Sequence, residues 1–125
     1  MLLTDKSVYI VDDDPSVRTS MKRLLREHGF SAKLFESAGA LLDHGEFSDA
    51  SCLVLDINLN DCSGFALGQQ LAAQGVKVAV VYITGNDSSQ NRSTAIKSGC
   101  IAYLTKPFSA ESFIDSIERA CAEGA

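Results

Sequence analysis

The chain has no tryptophan, only two histidines and two prolines, and fewer basic side chains than acidic ones. Eleven lysines and arginines stand against sixteen aspartates and glutamates, for a net charge of -5 and a pI of about 4.8. A surface that grips nucleic acid collects Lys and Arg along one face. With no basic stripe, direct nucleic-acid binding is not expected of this chain. The four cysteines, at positions 52, 62, 100 and 121, form no C-x-x-C pair, and neither His28 nor His44 has a second ligand nearby in sequence. That spacing argues against structural zinc or a disulfide framework, and for reduced thiols. No apolar run approaches the roughly 18–20 residues of a membrane span. Met1 to Ser7 is polar after Leu3, unlike a signal peptide. A cytoplasmic protein with no membrane partner is expected.

What the chain does have is an ordinary globular composition, 46% hydrophobic and 22% charged over 125 residues. The length suits one domain, 1–125, with its own core. The organising stretch is Cys52-Leu53-Val54-Leu55-Asp56, a run with no polar alternation that ends in an acid. Both faces of such a strand should be covered, as in the middle of a parallel sheet. Val8 to Val11 is a second such run, ending in Asp12-Asp13-Asp14-Pro15. Asp14 before Pro15 is a helix start, and Val17, Met21, Leu24 and Leu25 form one stripe up to Gly29. Ser31–Phe35, with polar interruptions, reads as an edge strand. Ser37 caps a short helix on Ala38, Leu41 and Leu42 that closes near Gly45. A helix carrying Phe65, Leu67 and Leu71 stops at Gly75, followed by a strand over Val76–Ile83 that ends at Thr84-Gly85. The next helix, about 86–98, is polar, with only Ala95 and Ile96 expected to be buried, and is the weakest helix former. A strand over Cys100–Thr105 ends at Lys106-Pro107, and Ser109 caps a last helix on Phe113, Ile114, Ile117, Ala120 and Cys121.

Five strand–helix units predict an α/β fold: a five-stranded parallel sheet of flavodoxin-like order 2-1-3-4-5 with helices on both faces. In such sheets the ligand crevice lies at the carboxyl ends of the strands. Those ends carry Asp12, Asp13, Asp56, Thr84 and Lys106. Clustered carboxylate oxygens suit Mg²⁺. An aspartate flanked by a divalent cation, an ammonium and a hydroxyl is equipped to attack a phosphoryl group and steady its oxygens. Gly85 leaves room for them.

Val11-Asp12-Asp13-Asp14, Leu53-Val54-Leu55-Asp56, Ile83-Thr84-Gly85 and Leu104-Thr105-Lys106-Pro107-Phe108 resemble the signature segments of the receiver (CheY-like) domains of two-component response regulators. Val17-Arg18, Leu24-Leu25 and Phe35-Glu36-Ser37-Ala38 are most similar to the FixJ-type subgroup. The resemblance implies a phosphoacceptor rather than an enzyme. Asp56 would accept phosphate from a sensor histidine kinase or a phosphotransfer protein. Asp13, Asp56 and the Asn58 backbone carbonyl would bind Mg²⁺ or Mn²⁺, with Asp12 helping through water. Lys106 would contact Asp56 and the phosphoryl group, Thr84 and Tyr103 would form a switch pair, and the Lys106–Pro107 peptide would be cis. The signal would leave through helix 86–98, strand 100–105 and the last helix, as a phosphorylation-dependent homodimer or another protein contact. The output would be transcription through a DNA-binding domain outside this chain, or else a stand-alone action by protein contact. The family often has Pro where this chain has Asn60, which implies a more mobile loop, and an acid where it has Ala102. A haloacid-dehalogenase-type phosphohydrolase needs a second acid two residues after its nucleophile; Asn58 stands there. A flavin-binding relative of this fold would place a phosphate where Asp12-Asp13-Asp14 repels one.

Overall fold

A computed structural model describes residues 6–123; the expectations about the leader segment, Met1 to Ser7, and the tail after Glu123 fall largely outside them. The elements run β1 (Ser7–Val11), α1 (Pro15–Glu27), β2 (Ser31–Phe35), α2 (Ala38–His44), β3 (Ala50–Asp56), α3 (Gly64–Ala73), β4 (Val80–Thr84), α4 (Ser89–Ser98), β5 (Ala102–Thr105) and α5 (Ala110–Glu123). All pairings are parallel and the strand order is β2-β1-β3-β4-β5. The predicted order and the edge position of β2 are both observed.

Alternation along the strands divides the core into two layers. Val8, Ile10, Cys52, Val54, Val81 and Ile83 face α1 and α5, where Met21, Leu25, Phe113 and Ile117 cover them. Tyr9, Val11, Leu53, Leu55 and Tyr82 face α2, α3 and α4, where Leu41, Leu67, Leu71 and Ala95 cover them. Helix ends sit where the caps were read. The Asp14 carboxylate accepts from Ser16 and Val17 N–H at 2.9 and 3.4 Å, and Ser37 Oγ accepts from Ala40 N–H at 3.0 Å. Gly45 and Gly99 end α2 and α4 at φ of 66° and 78°, a left-handed conformation that favours glycine.

The structure corrects four of the expectations. The fourth strand begins at Val80, not Val76: the Val76 N–H turns back to Leu71 O at 3.0 Å to close α3, and the ladder with β3 opens only at Leu53↔Val80. Similarly, β5 starts at Ala102 and α4 at Ser89, where Ser88 Oγ caps Asn91 N–H at 3.0 Å. Ile96 is not buried. It is 77% exposed while Ala95 is fully covered, because neighbours on a helix point about 100° apart and only one can face the sheet.

Phe113→Ala should therefore destabilise the fold by about 3–5 kcal/mol. Ile96→Ala should stay within about 0.5 kcal/mol of the parent. Urea unfolding midpoints measure both; a large loss at Ile96 would place that side chain in the core.

Candidate functional site

The sheet twist and the parallel strands bring residues from far along the chain to one edge. Asp12 follows β1, Asp56 ends β3, Thr84 ends β4 and Lys106 follows β5. Asp12 is fully buried and Asp56 is 4% exposed. Carboxylate oxygens of Asp12, Asp13 and Asp56 all lie within 4.8 Å of one another, a cluster that could hold a metal ion. The Lys106 ammonium reaches between them, donating to Asp12 Oδ2 at 2.8 Å and to Asp56 Oδ2 at 2.9 Å. The other oxygen of each buried carboxylate is held by a backbone amide two residues on: Asp14 N–H on Asp12 Oδ1 at 2.9 Å, and Asn58 N–H on Asp56 Oδ1 at 2.8 Å. Arg18 on α1 donates to the Asp12 carbonyl at 2.5 Å, a contact that the stripe on α1 did not advertise.

Burial pushes the Asp56 carboxyl up from the ordinary range; the Asn58 N–H and the Lys106 ammonium pull against it, and the Asp12 charge adds to the rise. Burial pulls the Lys106 ammonium down, but the two carboxylates outweigh it and its pKa stands above the usual lysine value. Three carboxylates with one ammonium leave a site short of positive charge. Hard oxygen donors in that state suit a hard divalent cation.

Thr84 lies on the neighbouring strand and is fully buried. Its hydroxyl donates to Asn58 Oδ1 at 2.9 Å and accepts from Asn86 N–H at 2.9 Å. Asn58 thus links the acidic cluster to Thr84 through its amide and its side chain, which the reading of its backbone carbonyl alone did not capture. No atom lies within 4 Å of where a Gly85 Cβ would stand, so the space beside Thr84 is open. Tyr103 is not brought into the cluster. It is partly exposed on β5, its hydroxyl donates to Asp87 Oδ1 at 3.0 Å, and Arg92 of α4 lies 5.8 Å from its ring centroid. The Lys106–Pro107 peptide is cis.

The loop after Asp56 folds tightly back on the strand. Gly64 N–H donates to Ile57 O at 2.9 Å, and a Cβ at Gly64 would stand 2.2 Å from the Asp56 carbonyl oxygen. Only glycine permits that approach; the Ser63-Gly64 pair before an apolar helix was the available signal.

A carboxyl whose folded-state value is raised stabilises the fold only below its unfolded value, and that contribution is lost as pH rises through the folded value. At pH 7 the ionised, buried Asp56 is thus a cost to the fold when no divalent cation offsets it. Asp56→Asn should raise the thermal midpoint at pH 7 in chelator, and the gap to the parent should shrink as pH falls and the parent carboxyl protonates. A midpoint lower than the parent's at pH 7 would contradict this electrostatic reading.

Comparison with known proteins agrees with the geometry. Residues 8–118 match the family described as response regulator receiver domain. The chain is 36% identical over 114 residues to the response regulator protein TmoT of Ectopseudomonas mendocina, covering 90% of this chain and 51% of TmoT. It is 34% identical over 118 residues to the transcriptional regulatory protein FixJ of Rhizobium meliloti, covering 94% of this chain and 58% of FixJ. The chain spans about half the length of the curated relatives it matches. The crystal structure of FixJ-N superposes with a TM-score of 0.83 at 32% identity, covering 96% of each chain. With the strand order, the acidic edge and a family match along nearly the whole described chain in agreement, this chain belongs to the response regulator receiver domain family.

Proposed function

We propose that this receiver domain takes a phosphoryl group onto Asp56 from a histidine kinase or a phosphotransfer protein and relays the event through Thr84 and Tyr103. The observation that carries the reading is the placement of Asp56: buried at the end of β3, inside a three-carboxylate cluster, with one oxygen 2.9 Å from the Lys106 ammonium. A carboxylate oxygen of Asp56 attacks phosphorus, the bond from phosphorus to the donor's imidazole nitrogen breaks, and the imidazole leaves with its electron pair. Asp12, Asp13, Asp56 and the Asn58 carbonyl would hold Mg²⁺ or Mn²⁺, which when bound neutralises charge on the phosphoryl oxygens. Lys106 supplies a second, fixed positive charge, already aimed at the acceptor. A groove of about 540 Å³ lined by Val17, Met21, Leu24, Lys106 and Phe108 opens beside the site and is wide enough for a donor's side chain to approach.

The Asn58 amide favours an acceptor over a hydrolase. It sits where a hydrolase needs an acid, and its side-chain oxygen is already taken by Thr84. After transfer, Thr84 exchanges Asn58 for a phosphoryl oxygen, and the space it vacates admits the Tyr103 ring once that hydroxyl leaves Asp87. Helix α4 is the element free to respond, because Ala95 is its sole buried residue. The exposed Ile96 on α4, with the α4–β5–α5 face around it, then gains or loses a partner, whether a second copy or another protein. Transcription is the proposed output, exerted by a DNA-binding part of a longer protein, because a transcriptional regulator is among the relatives and those relatives are about twice as long.

Incubation with acetyl phosphate and Mg²⁺ should add one phosphoryl group by intact mass, and Asp56→Asn or Asp56→Ala should abolish the adduct. An unmodified parent protein would overturn the acceptor reading, and steady release of free phosphate without an adduct would point to a hydrolase. For the relay, beryllofluoride with Mg²⁺ should change amide hydrogen exchange mainly between Thr84 and Glu118, and Tyr103→Ala should blunt the change. Changes confined to α1 and α2 would refute that route.

A further inference from the structure

Loop 57–63 carries Asn58, the residue that joins the acidic cluster to Thr84. Its base is closed by Gly64 N–H on Ile57 O at 2.9 Å and by an antiparallel bridge between Asn58 and Ser63. Its tip has no proline ring to stiffen it, since Asn60 occupies that place. Instead the tip is tied to a different part of the fold. The Asp61 carboxylate accepts from Gly39 N–H at 2.9 Å and from Ala38 N–H at 3.2 Å, both in the first turn of α2.

The first N–H groups of a helix have no partner within it. In α2, Ser37 Oγ takes the Ala40 N–H, while the two before it are taken by Asp61 from 22 and 23 residues away. The Gly39 N–H holds the Asp61 carboxyl below the usual range, so both oxygens accept as a carboxylate at neutral pH. Two charge-assisted bonds from one rigid turn fix both the position and the orientation of the loop tip.

We infer that Asp61 is a positioning residue for the phosphoacceptor site: it anchors loop 57–63 on α2 and thereby holds Asn58 in place against Asp56 and Thr84. This rests on the proposed role of Asp56 and Asn58. It makes α2, which supplies no side chain to the acidic cluster, part of what shapes the candidate metal site. Loosening the tip lets the Asn58 N–H leave Asp56 Oδ1 and lets the Asn58 backbone carbonyl drift from the carboxylates.

The competing possibility is that Asp61 merely caps α2. Ser37→Ala separates the two, because it removes the helix's own cap and leaves the loop contact alone. Three variants of the intact chain, Asp61→Ala, Asp61→Asn and Ser37→Ala, are compared for Mg²⁺ affinity by calorimetry and for amide exchange in chelator. Asp61→Ala should weaken Mg²⁺ binding about tenfold, the scale of lost outer-shell support, and should speed exchange through loop 57–63 as well as at Ala38 and Gly39. Asp61→Asn keeps one acceptor oxygen and should recover part of both losses. Ser37→Ala should speed exchange in α2 yet leave Mg²⁺ affinity within about twofold of the parent. Loop exchange in Asp61→Ala equal to the parent's would overturn the inference. So would Ser37→Ala as impaired as Asp61→Ala, which would assign the effect to capping. If the parent itself binds no Mg²⁺ and takes no phosphoryl group, the phosphoacceptor reading fails, while the loop exchange still reports whether Asp61 anchors the tip.

Discussion

The ammonium of Lys106 set between Asp12 and Asp56 is the constraint on which the site depends. Two buried carboxylates side by side repel, and burial alone disfavours their charge. A single lysine from the loop after β5 lets them stay together. It does so at the junction of three strands that are distant in sequence, since Lys106 lies 94 residues from Asp12 and 50 from Asp56. Charge compensation is only partial, and it leaves an acidic cluster that could hold a cation. The same pairing ties the strand ends to one another, because β1, β3 and β5 must keep their order and register for one ammonium to reach both acids.

Around that fixed centre the structure is uneven. The α1 and α5 side carries large covered side chains, Leu25, Phe113 and Ile117 among them. On the other side α4 contributes Ala95 alone, and its longer aliphatic residue faces solvent. Helices that bury little are the ones that shift at little cost. Thr84 opens onto this weakly held helix through Asn86, and Tyr103 leans on it through Asp87 and Arg92. A buried acidic centre beside a helix that buries a single alanine is the arrangement on which the proposed relay through Thr84 and Tyr103 rests.

Much of this was legible in the amino-acid sequence. The unbroken apolar runs at Val8–Val11 and Cys52–Leu55 imply strands covered on both faces, and the Asp14-Pro15, Ser37 and Ser109 caps mark helix starts; these are local signals, set by backbone geometry and by which side chains alternate. Strand-end residue types were enough to assemble Asp12, Asp13, Asp56, Thr84 and Lys106 at one edge, because parallel connection leaves only one edge for carboxyl ends. The extra length assigned to the fourth strand came from Val76 and Val78, whose β-favouring side chains suit a strand, but the Val76 N–H is claimed by the end of α3 and the ladder with β3 opens only at Val80.

The sequence by itself thus determined the alternation of elements, the class of sheet and the acidic edge, since each follows from periodicity and residue type over a few positions. Only the tertiary structure decided that Ala95 rather than Ile96 faces the sheet, and that the Tyr103 hydroxyl rests outward on Asp87. It alone decided that the Thr84 hydroxyl is parked on Asn58 and that Asp61 caps a helix formed more than twenty residues before it. Each of these is a choice between partners that are equally available to the isolated segment. For Ala95 the choice is made by the sheet packed against α4, and for the three hydrogen bonds by what other elements place within about 3 Å, neither of which exists until the chain has packed.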